Sequence, residues 1–416
     1  MTPPRLRGGA GVARDVALVS AGRYGQYAIT LITIPLCARI LGPSGMGLLA
    51  VAMSTYFLGA LCTDLGITAF VAARAEQPGL ASLRGDYAGL RAAALAAFTA
   101  LYLLSLVAPV PRVVELGALG LVVGSVSACG DDWVLLGSGR FGAVVVQQTA
   151  GRVVYLALLL GALPHVRTPE AAMACLLAGN LVAVGWSWAR TVREHGRPAR
   201  PGPPGALLRT GGPVLTARLL SSTYGPGAAT VFSPALTPHS LGLFSASDRP
   251  VQAAGSLLDA VGVSLLPRLA RRSGDVFWAT ARRGIVLVGL AAAVLATAAT
   301  ALAPWVVPLL FGAEYDGAVP LLQIQAWALP GVAITSFVAT AVLPVLGDTR
   351  GVLLAGVVGA ATIGVALAAA LRTRDPHTVV IGIVAAQTAA AAFSVLRARH
   401  LEATAAPLDA TTGGAA

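Results

Sequence analysis

The sequence predicts an all-α polytopic membrane protein, with about 12 transmembrane helices in two pseudo-symmetric six-helix bundles. Composition, the spacing of apolar runs and a repeat between the two halves point to it. Of 416 residues, 56% are hydrophobic and 11% charged, whereas a soluble domain carries about 25% charged residues. The formal net charge of +11 would suggest nucleic acid in a soluble protein. Here every one of the 29 basic residues is Arg, and their placement follows membrane orientation, so no nucleic-acid partner is expected.

A hydrocarbon core of about 30 Å takes roughly 20 apolar residues of helix. Runs long enough fall at 15–40, 45–72, 88–110, 113–138, 142–164 and 170–189. A second set follows at 208–233, 240–267, 284–311, 319–346, 350–371 and 377–396. The first run is too long for a cleaved signal peptide and reads as an uncleaved helix behind a basic cytoplasmic tail, 1–14. The bundles are then 15–189 and 208–396, joined by a Pro-, Gly- and Arg-rich cytoplasmic linker at 190–207. The small, polar segment 397–416 is expected to be a disordered cytoplasmic tail. With the N-terminus inside, twenty Arg fall on inner connections and five on outer ones (Arg39, Arg112, Arg167, Arg372, Arg374). A wrong helix count would scramble that alternation, so both termini are expected inside.

The repeat emerges on shifting the chain by 195 residues. Arg14 then meets Arg209, Arg23 meets Arg218, Pro43 meets Pro238, and Asp64 meets Asp259. An even number of spans separates the copies, which implies a pseudo-two-fold axis along the membrane normal and a cavity between the halves.

Four Arg remain inside spans: Arg23, Arg152, Arg218 and Arg249. A charge at that depth costs roughly 2.5–3.5 kcal/mol on insertion scales, so each needs a partner, a watery cavity or a route to the interface. Guanidinium groups facing a cavity suit bidentate phosphate contacts. Equally, Arg23–Asp64 and Arg218–Asp259 read as ion pairs within each half, with Asp131 and Asp132 neutralising Arg152, and Asp248 neutralising Arg249. A further alternative gives Asp64, Asp259, Asp131 and Asp132 to Na+ or H+, coupling transport to an ion gradient. Gln147, Gln148, Asn180, Gln252, Gln323, Gln325 and Gln387 line a cavity or bond helices together. Trp133, Trp186, Trp188 and Trp305, near span ends, read as interface anchors. The four cysteines show no metal spacing. With no HExxH, P-loop or GxSxG motif, neither an enzyme nor a cofactor or metal site is expected.

The stretches "IPLCARILGPSGMGLLAVAMS" and "TDLGITAFVAARA" resemble the opening helices of the bacterial polysaccharide (O-antigen-type) flippases. These belong to the MATE-like multidrug/oligosaccharidyl-lipid/polysaccharide exporter superfamily. "GDDWVLLGSGRFGAVVVQQTAGR", "SLLPRLARR" and "APWVVPLLFGAEYDGAVPLLQIQAWALP" resemble later helices of the same family, in the same order. The resemblance covers roughly residues 12–400. It implies two six-helix bundles around an alternating-access cavity in the bacterial cytoplasmic membrane. Its cargo would be a polyprenyl-pyrophosphate-linked oligosaccharide for cell-surface polysaccharide, its other partners membrane lipids and polysaccharide-assembly proteins. A cationic cavity in that family makes Arg23, Arg218, Arg152 and Arg249 pyrophosphate contacts, and Arg23 resembles an Arg in the first helix of related lipid II flippases. Rival readings are an ion-coupled multidrug exporter of the same fold, a membrane-embedded glycan-assembly enzyme, and a scaffold.

Overall fold

The computed structural model describes residues 9–269 and 274–412, with side chains described for 32–258 and 274–404. Among the described residues every regular element is helical. Eight helices among the described residues are long and apolar enough to cross a membrane. The chain forms two compact units, Met1–Thr216 and Ala217–Ala416.

In the first unit, α1 (Gly9–Asp64) breaks at Gly42, whose φ of 66° and ψ of 176° separate two helices. Glycine takes a positive φ without a Cβ clash, and Pro43 behind it starts the next helix well. After Asp64 the chain turns through Leu65 and Gly66, both at positive φ. The Asp64 carboxylate fastens that turn, accepting from the Gly66 amide and, at 2.6 Å, from Thr68 Oγ1. The unit continues with α2 (Thr68–Ala72), α3 (Leu80–Val107), α4 (Arg112–Ala128), α5 (Asp132–Gly137), α6 (Phe141–Val166) and α7 (Pro169–His195). Small residues let α1 and α4 approach closely: Gly120 and Gly124 face the backbone of Ala52 and Tyr56, and Gly59 faces Leu121. Thr63 Oγ1 donates to Ser125 Oγ across the same seam at 2.8 Å.

Residues 196–204, within the expected linker at 190–207, are strapped to α3. The Ala199 amide donates to the Ala81 carbonyl at 2.9 Å, and the Gly202 amide to Asp86 Oδ1 at 2.7 Å. Gly85 and Gly89 leave room beneath for Ala199 and Pro201. The next helix, α8 (Gly205–Ser222), packs Leu207, Val214 and Leu215 onto a core of Leu65, Ile67, Val71, Tyr87 and Trp133.

The second unit adds α9 (Ala228–Phe232), α10 (Pro238–Leu269), α11 (Gly274–Phe311), α12 (Ala318–Gln325), α13 (Leu329–Phe337), α14 (Thr349–Thr373) and α15 (Pro376–Thr412). A 3-10 turn at Ala326–Ala328 and a π turn at Val338–Val342 keep α12 and α13 in one span. Asp348 caps α14, accepting from the Gly351 amide, and also takes Arg397 Nε at 2.7 Å. Its carboxyl is thereby held below the usual carboxylate range. α15 runs past 396 to Thr412, so helix occupies most of the segment expected to be a disordered tail. The sequence LRARHLEATAA there is rich in good helix formers.

Four of the twelve expected spans are not among the eight long apolar helices. The first lies mostly where side chains are not described. The fourth divides at Cys129–Asp131, leaving α4 with 17 residues. The seventh divides at Thr223–Gly227. The eighth, in α10, carries Asp248, Arg249, Gln252 and Asp259, and its side chains are described only to 258.

Candidate functional site

A cavity of about 230 Å³ opens inside the first unit. Its wall comes from Tyr56 of α1, Ser127 of α4, Asp132 of α5, and residues of α6 and α7. Two glycines set its width. A Cβ on Gly151 of α6 would lie 2.7 Å from the carbonyl oxygen of Gly179 on α7, so the helices meet backbone to backbone there. Arg152 and Asn180, the next residue on each helix, both line the cavity, with Gln147 one turn away.

The chemistry of this wall is unusual for an apolar bundle. Gln147 is 3% exposed, and its Oε1 has no hydrogen-bond partner. Asn180 Nδ2 is likewise buried without one. No ion pair joins Arg152 to a carboxylate among the described residues, although Asp132 lines the same cavity. Buried polar groups are ordinarily bonded, and leaving one bare costs about 1–3 kcal/mol, more for a charge. This wall therefore holds hydrogen-bonding capacity that the described residues leave unused.

Asp131 does not serve Arg152. The turn between α4 and α5 points consecutive carboxylates in different directions, and Asp131 goes to Arg84 of α3 at 2.7 Å, with side chains 2% and 0% exposed. Arg84 also donates to the Gly196 carbonyl and to Thr191 Oγ1. Arg91, two turns along the same face, lies 3.6 Å over the Tyr87 ring and donates to the Gly130 carbonyl at 2.6 Å. Arg84 and Arg91 are among the twenty arginines that the sequence assigns to inner connections. α3 begins at Leu80, two turns before the expected span, and draws both inside. The spacing of Arg84, Tyr87 and Arg91 on one helical face was the available signal.

Asp64 bonds its own turn. The side chains of Arg23 and Asp259 lie outside the described residues, so neither expected pair, Arg23–Asp64 nor Arg218–Asp259, is among the described contacts. Arg218 is exposed on α8. Asp248 does not rely on Arg249 alone, because its oxygens accept from Gln252 and Gln325. Trp133 is 1% exposed and packs edge-on against Tyr87, so it is a core residue and not an interface anchor. Among the described residues no group of three or more His, Cys, Asp or Glu is placed to hold a metal ion.

A search of curated proteins finds no match. Solved structures share the fold. A lipid II flippase, MurJ, in an inward closed conformation is 12% identical with a TM-score of 0.70, covering 92% of this chain and 87% of that one. A multidrug resistance MATE transporter of the MOP superfamily, inward-facing, is 15% identical with a TM-score of 0.60, covering 90% and 94%. The family model for polysaccharide biosynthesis proteins matches residues 12–273, most of the chain. The protein is therefore a multi-pass membrane protein with the fold of these transporters, and it belongs to the polysaccharide biosynthesis protein family.

Proposed function

We propose that the protein is a flippase, not an enzyme, that carries a polyprenyl-pyrophosphate-linked oligosaccharide from the inner to the outer leaflet by alternating access. The bacterial cytoplasmic membrane, with both termini inside, fits the Arg distribution along the chain. The observation that carries the reading is Arg152, a guanidinium among apolar helices with no carboxylate partner among the described residues. An anionic head group would supply that partner, with Gln147 and Asn180 bonding the adjoining sugar. Arg23, Arg218 and Arg249 remain proposed anion contacts, and lipids and polysaccharide-assembly proteins remain proposed partners.

Asp132 favours a second reading, an ion-coupled exporter of cationic compounds, because it lines the same cavity without an ion pair to Arg152. Mass spectrometry of lipid-linked sugars separates the two. A strain carrying Arg152→Ala at normal protein level is expected to accumulate one polyprenyl-pyrophosphate oligosaccharide. Arg152→Lys is expected to rescue poorly, because lysine lacks the two-pronged donor geometry. An unchanged lipid pool, with drug sensitivity altered by Asp132→Asn, would replace the flippase reading with the exporter one.

A further inference from the structure

The second unit contains a polar network that the cargo reading does not use. Gln325, at the end of α12, is fully buried against Ser247 and Asp248 of α10. Its Nε2 donates to Asp248 Oδ1 at 2.6 Å, and Ser247 Oγ lies 2.7 Å from its Oε1. Gln252, one turn along α10, donates to Asp248 Oδ2. Ser247 Oγ is also 2.8 Å from the Phe244 carbonyl oxygen. A serine hydroxyl has a single hydrogen, so it can serve either Gln325 or Phe244, but not both at once.

We propose that Asp248 is a proton-binding site and that the Gln325 amide turns over as the proton comes and goes. With Asp248 ionised, the amide N–H points at Oδ1 and the amide oxygen accepts from Ser247. With a proton on Oδ1, that O–H donates to the amide oxygen. The amide N–H then donates to Ser247 Oγ, and the serine hydrogen turns to Phe244. Gln252 serves Oδ2 in both states. Each state satisfies the donors and acceptors of the network, so neither loading nor unloading leaves a bare buried group.

A metal cation fits poorly here, because both carboxylate oxygens face N–H donors and hard cations need oxygen ligands. The charge that bears on Asp248 is Arg249, the next residue on α10. α9, α12 and α13 carry no titratable residue. Of the other helices packed on α10, α11 carries Asp275, Arg282 and Arg283 in its first turns, and α15 carries His377, Arg397, Arg399, His400 and Glu402. Asp248 itself is half-buried.

Infrared difference spectroscopy of the full-length protein in lipid nanodiscs tests the proposal without any cargo, so its outcome is independent of the flippase reading. The expected result is a carbonyl stretch of a protonated carboxylic acid that grows as pH falls and is missing in Asp248→Asn, which mimics the loaded state. In Gln325→Leu the band should remain but move, since its bonding partner is gone; this variant also serves if Asp248→Asn does not fold. A titrating band identical in wild type and Asp248→Asn would overturn the assignment. So would a band unmoved in Gln325→Leu, or one removed by Na+ at constant pH.

Discussion

Breaking the Arg84–Asp131 pair should be among the most damaging single changes in the first unit. Both side chains are essentially out of water, and the guanidinium spends Nε on Asp131, Nη1 on the Gly196 carbonyl and Nη2 on Thr191. Asp131 Oδ2 additionally accepts from Thr191 Oγ1 at 2.7 Å, and the Asp131 amide donates to Ser187 Oγ. Removing one partner leaves the other charge buried, at a cost of about 3–5 kcal/mol. Arg84→Met belongs near the middle of that range, because it also strips the Gly196 carbonyl of its donor. Asp131→Asn keeps one acceptor oxygen and should cost less, about 2 kcal/mol. Replacing both, as Arg84→Met with Asp131→Leu, removes the uncompensated charge and should recover about 2–3 kcal/mol relative to the sum of Arg84→Met and Asp131→Leu made singly. The assay is reversible denaturation of purified protein in detergent micelles, followed by circular dichroism. Single variants costing less than about 1 kcal/mol, or a double variant that is simply additive, would refute the claim that this pair is a desolvated unit.

Three further outcomes are expected. Gly151→Val should force α6 from α7, since even a Cβ would sit 2.7 Å from the Gly179 carbonyl oxygen and 2.9 Å from Ala183 Cβ. The cost should be about 1–3 kcal/mol in the same assay, while Gly161→Ala, with nothing within 4 Å of the new Cβ, should be silent. The Asp348 carboxyl is held low mainly by its bond from Arg397. Its contribution should therefore be complete above the unfolded carboxylate value, about 3.9, and vanish as pH falls through the lower folded value. Denaturation curves of wild type should lose stability across that window, and those of Asp348→Asn should be flatter there; equal slopes would refute it. Finally, surface glycan export should fall more in Gln147→Leu than in Gln148→Leu, because Gln147 is the buried amide whose oxygen lacks a partner; equal export would count against ligand contact by Gln147.

Long apolar helices were legible because hydrophobic runs of span length have few other uses, and the break at Gly42 falls between the first two such runs. The charged interior was less so. Arg84 and Arg91 lie at a span boundary, where sequence alone cannot separate a solvated guanidinium from one drawn under a helix that starts two turns early. Asp131 and Asp132 are neighbours in sequence, but a three-residue break in the helix sends one to Arg84 and the other to the cavity. Helical periodicity does not describe a residue at a break. Trp133 failed as an interface anchor for the same reason: α5 folds inward after that break and carries the ring into the core. Gln147 and Asn180 were visible as polar residues in spans, yet their missing partners exist only in three dimensions.

The strap over α3 shows what a proline-rich composition can mean. Residues 197–204 contain four prolines, a bias that ordinarily advertises slack. A proline-rich chain, however, has few conformations to lose, so ordering it costs less entropy than ordering an average segment. Two backbone amides and one arginine hold it, with Pro201 seated over Gly89. Such a segment is stiff before it docks, and it behaves as a strut. A reporter domain or protease site inserted between Gly196 and Pro204 would have to dismantle folded structure, despite a sequence that looks like the safest place to cut.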